Sequence, residues 1–209
     1  MKRKEDKSVL YIVGIDEAGR GPLAGPVSVG VCSIREDIVS HVETVLFGDG
    51  GIRDSKKLSH KRREIIYSEM QKLRAAGSIH FSVRMSSNSF IDENGIVFGV
   101  NFAMKKALRI HTVKNRNMRV LLDGGLRAPR EYTNQITIIK GDERELTIAL
   151  ASIAAKVERD RVMVKMGEKY PQFGFEIHKG YGTKKHRENI GIFGISDMHR
   201  RSFLKGLTE

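Results

Sequence analysis

Apolar residues fill Val9–Ile15 and Val27–Ile34, and the glycine- and proline-rich stretch AGRGPLAGP lies between them. This reads as two neighbouring strands joined by a loop. From Ser59 to about Ala75 the period changes to that of a helix. Ile66, Met70 and Leu73 recur at spacings of four and three, Ser59 can cap the start, and Gly77 ends the run. Ile79–Met85 reads as a third strand. Around Val97 to Ile110 a second helix carries Val97, Val100, Met104 and Leu108 on one face. Arg119–Leu122 is a short buried strand that ends in Asp123-Gly124-Gly125, and Gln135–Ile139 is a fifth. A long helix starts near Glu145, with Leu146, Leu150, Ile153, Val157 and Val164 as its apolar stripe. Beyond Tyr170 the chain is rich in Gly, His and Lys, with a helical turn over Ser202–Lys205 that Gly206 stops. Elements in this order predict an α/β fold with helices packed on a sheet. The first three strands suit a meander, and the last two arrive through helices.

The 209 residues are 40% hydrophobic and 30% charged, which suits one compact domain with a small terminal lobe. No apolar run approaches the ~20 residues that a bilayer span needs, and MKRKEDKSVL lacks the apolar stretch of a signal peptide. The expectation is a cytoplasmic monomer that makes no membrane contact. The single cysteine, Cys32, sits in a strand pattern and reads as a buried small hydrophobe in a reducing compartment. The net charge of +12 favours a polyanionic partner. Its basic residues cluster at Lys56-Lys57, Lys61-Arg62-Arg63, Lys184-Lys185 and Arg200-Arg201.

The candidate chemistry lies in carboxylates at strand ends. Asp16 and Asp123 each follow an apolar run, "YIVGID" and "RVLLD". In open α/β sheets the crevice beyond such ends is the usual ligand site. Adjacent strand residues point to opposite faces, so Asp16 and Glu17 can share a site if the strand stops at Glu17 and turns through Gly19. Asp142 follows the fifth strand. With Glu145 it has the spacing of a capping box, and a capping role and a cation-binding role are both open to it. Acids crowded in one crevice need cations. Oxygen-only ligands suit Mg²⁺ or Mn²⁺ rather than Zn²⁺, and two such ions support phosphodiester hydrolysis. Residue types alone leave a metal-dependent nuclease and a plain basic binding domain both open.

The ordered set "GIDEAGRGPLAGPV", "RDSKKLS", "LLDGG", "KGD", "ASIAAKVERDR" and "FGFEIHKGYGTKKH" resembles type 2 ribonuclease H, ribonuclease HII. The closing "HRRSF" resembles its bacterial branch. The blocks run from about Gly14 to Phe203. The resemblance implies an RNase H-like fold with a mixed five-stranded sheet whose first three strands are antiparallel. It implies a catalytic domain over 1–170, and over 171–209 a substrate-binding loop and short helices packed on the same domain. It implies that Asp16, Glu17, Asp123 and Asp142 form the catalytic, metal-binding cluster for Mg²⁺ or Mn²⁺. It further implies that the backbone of Gly19, Arg20 and Gly21 meets the ribose 2′-hydroxyl, and that Tyr181 stacks on the deoxyribose after the ribonucleotide. The implied substrates are RNA–DNA hybrids and duplex DNA containing ribonucleotides, cut 5′ of the ribonucleotide to leave a 3′-hydroxyl and a 5′-phosphate. The implied roles are ribonucleotide removal and RNA-primer processing.

Lys56 then becomes a phosphate contact, whereas Lys57 reads as surface. Lys179, Thr183, Lys184 and His186 become backbone contacts in a glycine-rich loop. Asp160 reads as a structural acid paired with an arginine, and His111 as a packed, hydrogen-bonded residue. His178 is read either as shaping its loop or as helping proton transfer. Glu158 and Arg159 read as solvated. "RRSFLKGLTE" is only a faint match to a sliding-clamp motif, so that partner is left open. The rival readings are another two-metal nuclease on this fold, such as a junction resolvase or ribonuclease HIII, and a non-catalytic nucleic-acid-binding protein.

Overall fold

The computed structural model describes residues 9–48, 50–52, 58–111 and 117–205. Lys56 and Lys57 lie outside the described residues. Five strands, β1 (Tyr11–Ala18), β2 (Val27–Arg35), β3 (Ile79–Ser86), β4 (Met118–Asp123) and β5 (Gln135–Ile138), form one sheet in the order β3-β2-β1-β4-β5. β1–β2 and β2–β3 are antiparallel, whereas β1–β4 and β4–β5 are parallel. The meander of three strands and the two helix-linked strands are therefore both present.

Side chains alternate across each strand, and both faces of the sheet are covered. Val27, Val29 and Val31 of β2 join Val13, Ile15, Val120 and Leu122 on one face, under α3 (Asn88–Asn94) and α4 (Ile96–Ile110). Cys32 and Ile34 join Phe81 and Val83 on the other, under α1 (Val39–Phe47), α2 (His60–Ala75) and α5 (Leu146–Lys169). Cys32 is fully buried. Ser59 caps α2 by accepting from the Arg62 amide at 3.2 Å, as the sequence signals, and Gly77 follows with φ 76°. The core stripe of α4 runs through Val100, Met104 and Leu108, but Val97 is 60% exposed, because Ala103 and Ala107 rather than Val97 complete the inner face. On α5, Met163 is fully buried whereas Val164 is partly exposed. The stripe there moves back one residue, because Met163 packs into a core with Leu23, Ala24, Phe173 and Phe175.

Two strand ends differ from the sequence reading. β1 does not stop before its acids: Asp16 pairs with Gly30, Glu17 with Val29 and Ala18 with Ser28. Asp123 is likewise the last residue of β4 and pairs with Ile138. The capping box is also absent. Asp142 lies in a separate 3-10 turn, Gly141–Glu143, and Glu145 is itself the residue before α5.

The chain after α5 contains more helix than its glycines suggest. A 3-10 turn (Pro171–Phe173), α6 (Phe175–His178), α7 (Lys184–Phe193) and a last 3-10 turn (Arg201–Phe203) surround a core of Phe173, Phe175, Ile190 and Leu204. Leu23, Ala24 and Met163 complete that core, so the segment packs on both α5 and the β1–β2 loop. Among the described residues, no helix is long and apolar enough to cross a membrane.

Candidate active site

The last parallel pair of β1 and β4 is Ile15 with Leu122. Asp16 and Asp123 come next on the two strands, and by alternation both face α5. There the Asp16 carboxylate accepts from the Ser152 side chain and, at 2.7 Å, from the Glu17 amide. Asp16 is 6% exposed. Burial, reinforced by the negative charges of Glu17 and Asp123, pushes its pKa up to about 8. Burial also raises Glu17, against the lowering effect of Arg20 and with a further rise from Asp123. Asp16, Glu17 and Asp123 thus feel one another's charge.

Asp123 Oδ1 accepts from the Gly141 amide at 2.6 Å. This bond ties the 3-10 turn holding Asp142 to the end of β4. A Cβ on Gly141 would stand 2.5 Å from Ile148 Cδ1, so a larger residue there would require that side chain to shift. Glu17 and Asp142 then line a single cleft of about 360 Å³ with Ala18, Gly19, Arg20, Gly21, Lys156 and Tyr181. Glu17 Oε1 accepts from Arg20 Nη1 at 2.9 Å.

These are hard oxygen donors, with no thiolate or imidazole lining the cleft, and that donor set fits Mg²⁺ or Mn²⁺. Among the described residues, however, no three carboxylates, thiols or imidazoles already stand as a metal cage. Asp16, Glu17 and Asp123 each accept from a protein donor instead. Gathering them on a cation requires side-chain turns, above all release of Glu17 from Arg20, whose own side chain lies largely in solvent.

Gly19 has φ 88°, and a Cβ there would meet Arg159 Nε at 1.9 Å, whereas a Cβ on Gly21 would meet nothing within 4 Å. Tyr181 is 45% exposed on the cleft, with the Lys156 ammonium 5.9 Å from its ring centre. Lys179 has φ 52° and donates from Nζ back to the Glu176 carbonyl. Thr183 caps α7 by accepting from the His186 amide at 3.3 Å, and Lys184 opens that helix, fully in solvent. His186 is not at the surface. It is wholly buried, 3.1 Å from His199 Nε2 and stacked on His178.

Both ring nitrogens of His178 are occupied, one by the Phe173 carbonyl at 2.7 Å and one by the Gly180 amide at 3.2 Å. It shapes the loop. His111 is packed as expected, 2.8 Å from Ser33 Oγ. Asp160 is buried, but its partner is Lys156 at 2.8 Å rather than an arginine. Glu158 accepts from the Tyr67 hydroxyl. Arg159 is not solvated, and Arg200 is not part of a surface patch: both are 0% exposed. Charge had suggested surface, and no local sequence signal marks an arginine whose acceptors are carbonyls far away in the chain. Ser152 and Lys156 were missed as cleft residues, although their spacing of four on a helix placed them on one face.

A family model described as Ribonuclease HII matches residues 13–205. A ribonuclease HII of Clostridioides difficile is 41% identical over 202 residues, covering 97% of this chain and 73% of that protein. One of Caldicellulosiruptor bescii is 45% identical over 198 residues, covering 94% and 88%. Among solved structures, ribonuclease H2 of Pyrococcus horikoshii OT3 superposes with a TM-score of 0.72 at 25% identity, covering 95% of this chain and 97% of that one. The Archaeoglobus fulgidus RNase HII, solved in a PCNA complex, gives 0.69 at 27% identity with the same coverage.

Proposed function

The chain belongs to the ribonuclease HII family of metal-dependent endoribonucleases, and from that premise we propose that its cleft cuts 5′ of a ribonucleotide, in an RNA–DNA hybrid or embedded in duplex DNA, leaving a 3′-hydroxyl and a 5′-phosphate. Ribonuclease H activity on hybrids follows from the family; the single-ribonucleotide cut is the finer reading. One observation carries it. Glu17 and Asp142 share a cleft with a glycine-bounded loop that no side chain shields at Gly21 and with the half-exposed ring of Tyr181.

Asp16, Glu17, Asp123 and Asp142 would hold divalent cations, Mg²⁺ or Mn²⁺. Such a pair, when bound, lowers the pKa of water and balances the charge that builds on the phosphate oxygens. The chain's own residues do the positioning. The Gly19-Arg20-Gly21 backbone meets the 2′-hydroxyl, the feature that separates RNA from DNA. Tyr181 offers a flat face to the next sugar. Lys156, held beside the cleft by Asp160, supplies a cation for phosphate. Lys184 lies on the exposed start of α7, where it can follow a flanking phosphate.

Such a cut serves ribonucleotide removal and primer processing. A sliding clamp is a further partner within this reading, since a relative stands in complex with PCNA; residues 206–209 of the faint C-terminal match lie outside the described residues. Cleavage mapping on a DNA duplex with one ribonucleotide, in Mg²⁺ or Mn²⁺, is the test. A single cut on the 5′ side is expected, with the all-DNA duplex intact. Equal cutting of all-DNA duplex would point to a resolvase-like nuclease and reject the reading.

A further inference from the structure

The loop over residues 19–26 is held from beneath by two buried guanidinium groups. Arg200 donates from Nη2 to the Gly19 carbonyl at 2.6 Å, from Nη1 to the Arg20 carbonyl at 2.9 Å and from Nε to the Gly25 carbonyl at 2.9 Å. Arg159 donates from Nε to the Pro26 carbonyl at 2.8 Å and from Nη2 to the Ala24 carbonyl at 3.2 Å. Among the described residues, neither arginine pairs with an acid. Two desolvated cations side by side are costly, and their hydrogen-bond acceptors are all carbonyls of this one loop. Burial and the Arg159 charge lower Arg200 to about 9, so it remains charged at neutral pH.

Peptide geometry gives the arrangement a direction. In a trans peptide the N–H points opposite to the C=O, and among the described residues no peptide bond is cis. With the Gly19 and Arg20 carbonyls turned inward to Arg200, the amides of Arg20 and Gly21 point away from it. Among the described residues, neither amide has a backbone acceptor. Both belong to the residues that line the cleft, and Gly21 has no side chain to cover them. Two adjacent outward amides form a small concave donor pair suited to a hydroxyl or phosphate oxygen.

We infer that Arg200 is a positioning residue for ribose recognition: its fork fixes the Gly19-Arg20-Gly21 backbone so that the Arg20 and Gly21 amides face the sugar-phosphate oxygens of the substrate. Arginine suits this task because its planar group donates in several fixed directions at once, whereas an ammonium donates from one point. The inference rests on the ribonucleotide-cutting reading above, and the test separates the two.

Arg200→Lys keeps the charge and loses the fork. Binding of a duplex with one ribonucleotide and of its all-DNA counterpart is measured in chelator, beside single-turnover cleavage, after thermal melting has verified the fold. The expected result is a folded variant that binds all-DNA duplex as the wild type does, while its preference for the ribonucleotide duplex collapses toward one and cleavage slows about 10-fold or more. An unchanged preference overturns the inference, whatever happens to overall activity. The wild type supplies a measurement that needs no variant: the Arg20 and Gly21 amide resonances should shift with the ribonucleotide duplex and not with all-DNA duplex. Equal shifts, or none, also overturn it. Wild-type protein that cuts both duplexes alike rejects instead the functional reading on which it stands.

Discussion

A side chain on Gly14 would place its Cβ 2.0 Å from the backbone carbon of Thr147. β1 and α5 therefore meet backbone to backbone. One turn further along α5, a Cβ on Gly30 of β2 would stand 2.1 Å from the Ala151 carbonyl oxygen. These two missing side chains seat α5 on the sheet and bring Ser152 within hydrogen-bonding reach of Asp16. Gly14→Ala should force the helix away, with a stability loss of about 1–3 kcal/mol and a larger proportional loss of activity. Urea unfolding and cleavage rate measured together check this; a wild-type urea midpoint would mean that the helix yields freely.

Asp123→Asn keeps an oxygen for the Gly141 amide but removes a charge from a crowded acidic site. Cleavage should fall on the order of 100-fold or more, as several kcal/mol of charge stabilisation is lost. Stability should stay level or rise, because repulsion with Asp16 and Glu17 is relieved. Chelation of divalent cations should stop the wild-type enzyme, and added Mg²⁺ or Mn²⁺ should restore it. A variant that cuts undiminished would remove Asp123 from the site.

His111 carries a pH dependence that reaches the whole fold. Burial, with the nearby charges of His80 and Arg74, lowers its pKa from 6.5 to about 4. The unfolded chain therefore takes up this proton first. Stability is full above about pH 6.5, falls as the pH drops, and levels off near 4. Its share of the loss at pH 5 is about 2 kcal/mol. His186 and His199, also lowered to about 4 by burial, act in the same direction. Unfolding in urea at pH 7 and pH 5 should show a clear drop for the wild type and a smaller one for His111→Asn. Equal drops would mean that His111 takes up its proton without cost in the folded state.

Tyr181 meets solvent with nearly half its surface. Its hydroxyl is not what the stacking reading uses, so Tyr181→Phe should keep binding to the ribonucleotide-to-DNA junction. Tyr181→Ala should weaken that binding about 10-fold, or about 1.4 kcal/mol. Titration of a labelled junction duplex distinguishes the two. An alanine variant that binds as well as wild type would leave the ring without a role.

Where a short window of sequence decides the structure, the sequence was legible. Short apolar runs located all five strands to within a few residues, and Ser59 and Gly77 bounded α2. The acids were legible as strand-end residues, although not the fact that β1 continues through Asp16 and Glu17 to Ala18, because that depends on pairing partners on β2. α7 was hidden by the Gly, His and Lys around it; Thr183 at its start was the available sign. Arg159 and Arg200 were read as surface because charge is usually solvated. Their acceptors are carbonyls of residues 19–26, more than a hundred positions away, and no local pattern records such a pairing.

That pairing also has a temporal side. The arginine that fixes three carbonyls of residues 19–26 follows them by 175 to 181 positions, and the backbone bridge from Ala24 runs to His199 beside it. A chain still attached to the ribosome can assemble much of its sheet, as domains often begin to fold during synthesis. It cannot complete this loop before Arg200 has been made. The loop beside the acids is therefore set after the sheet that carries them.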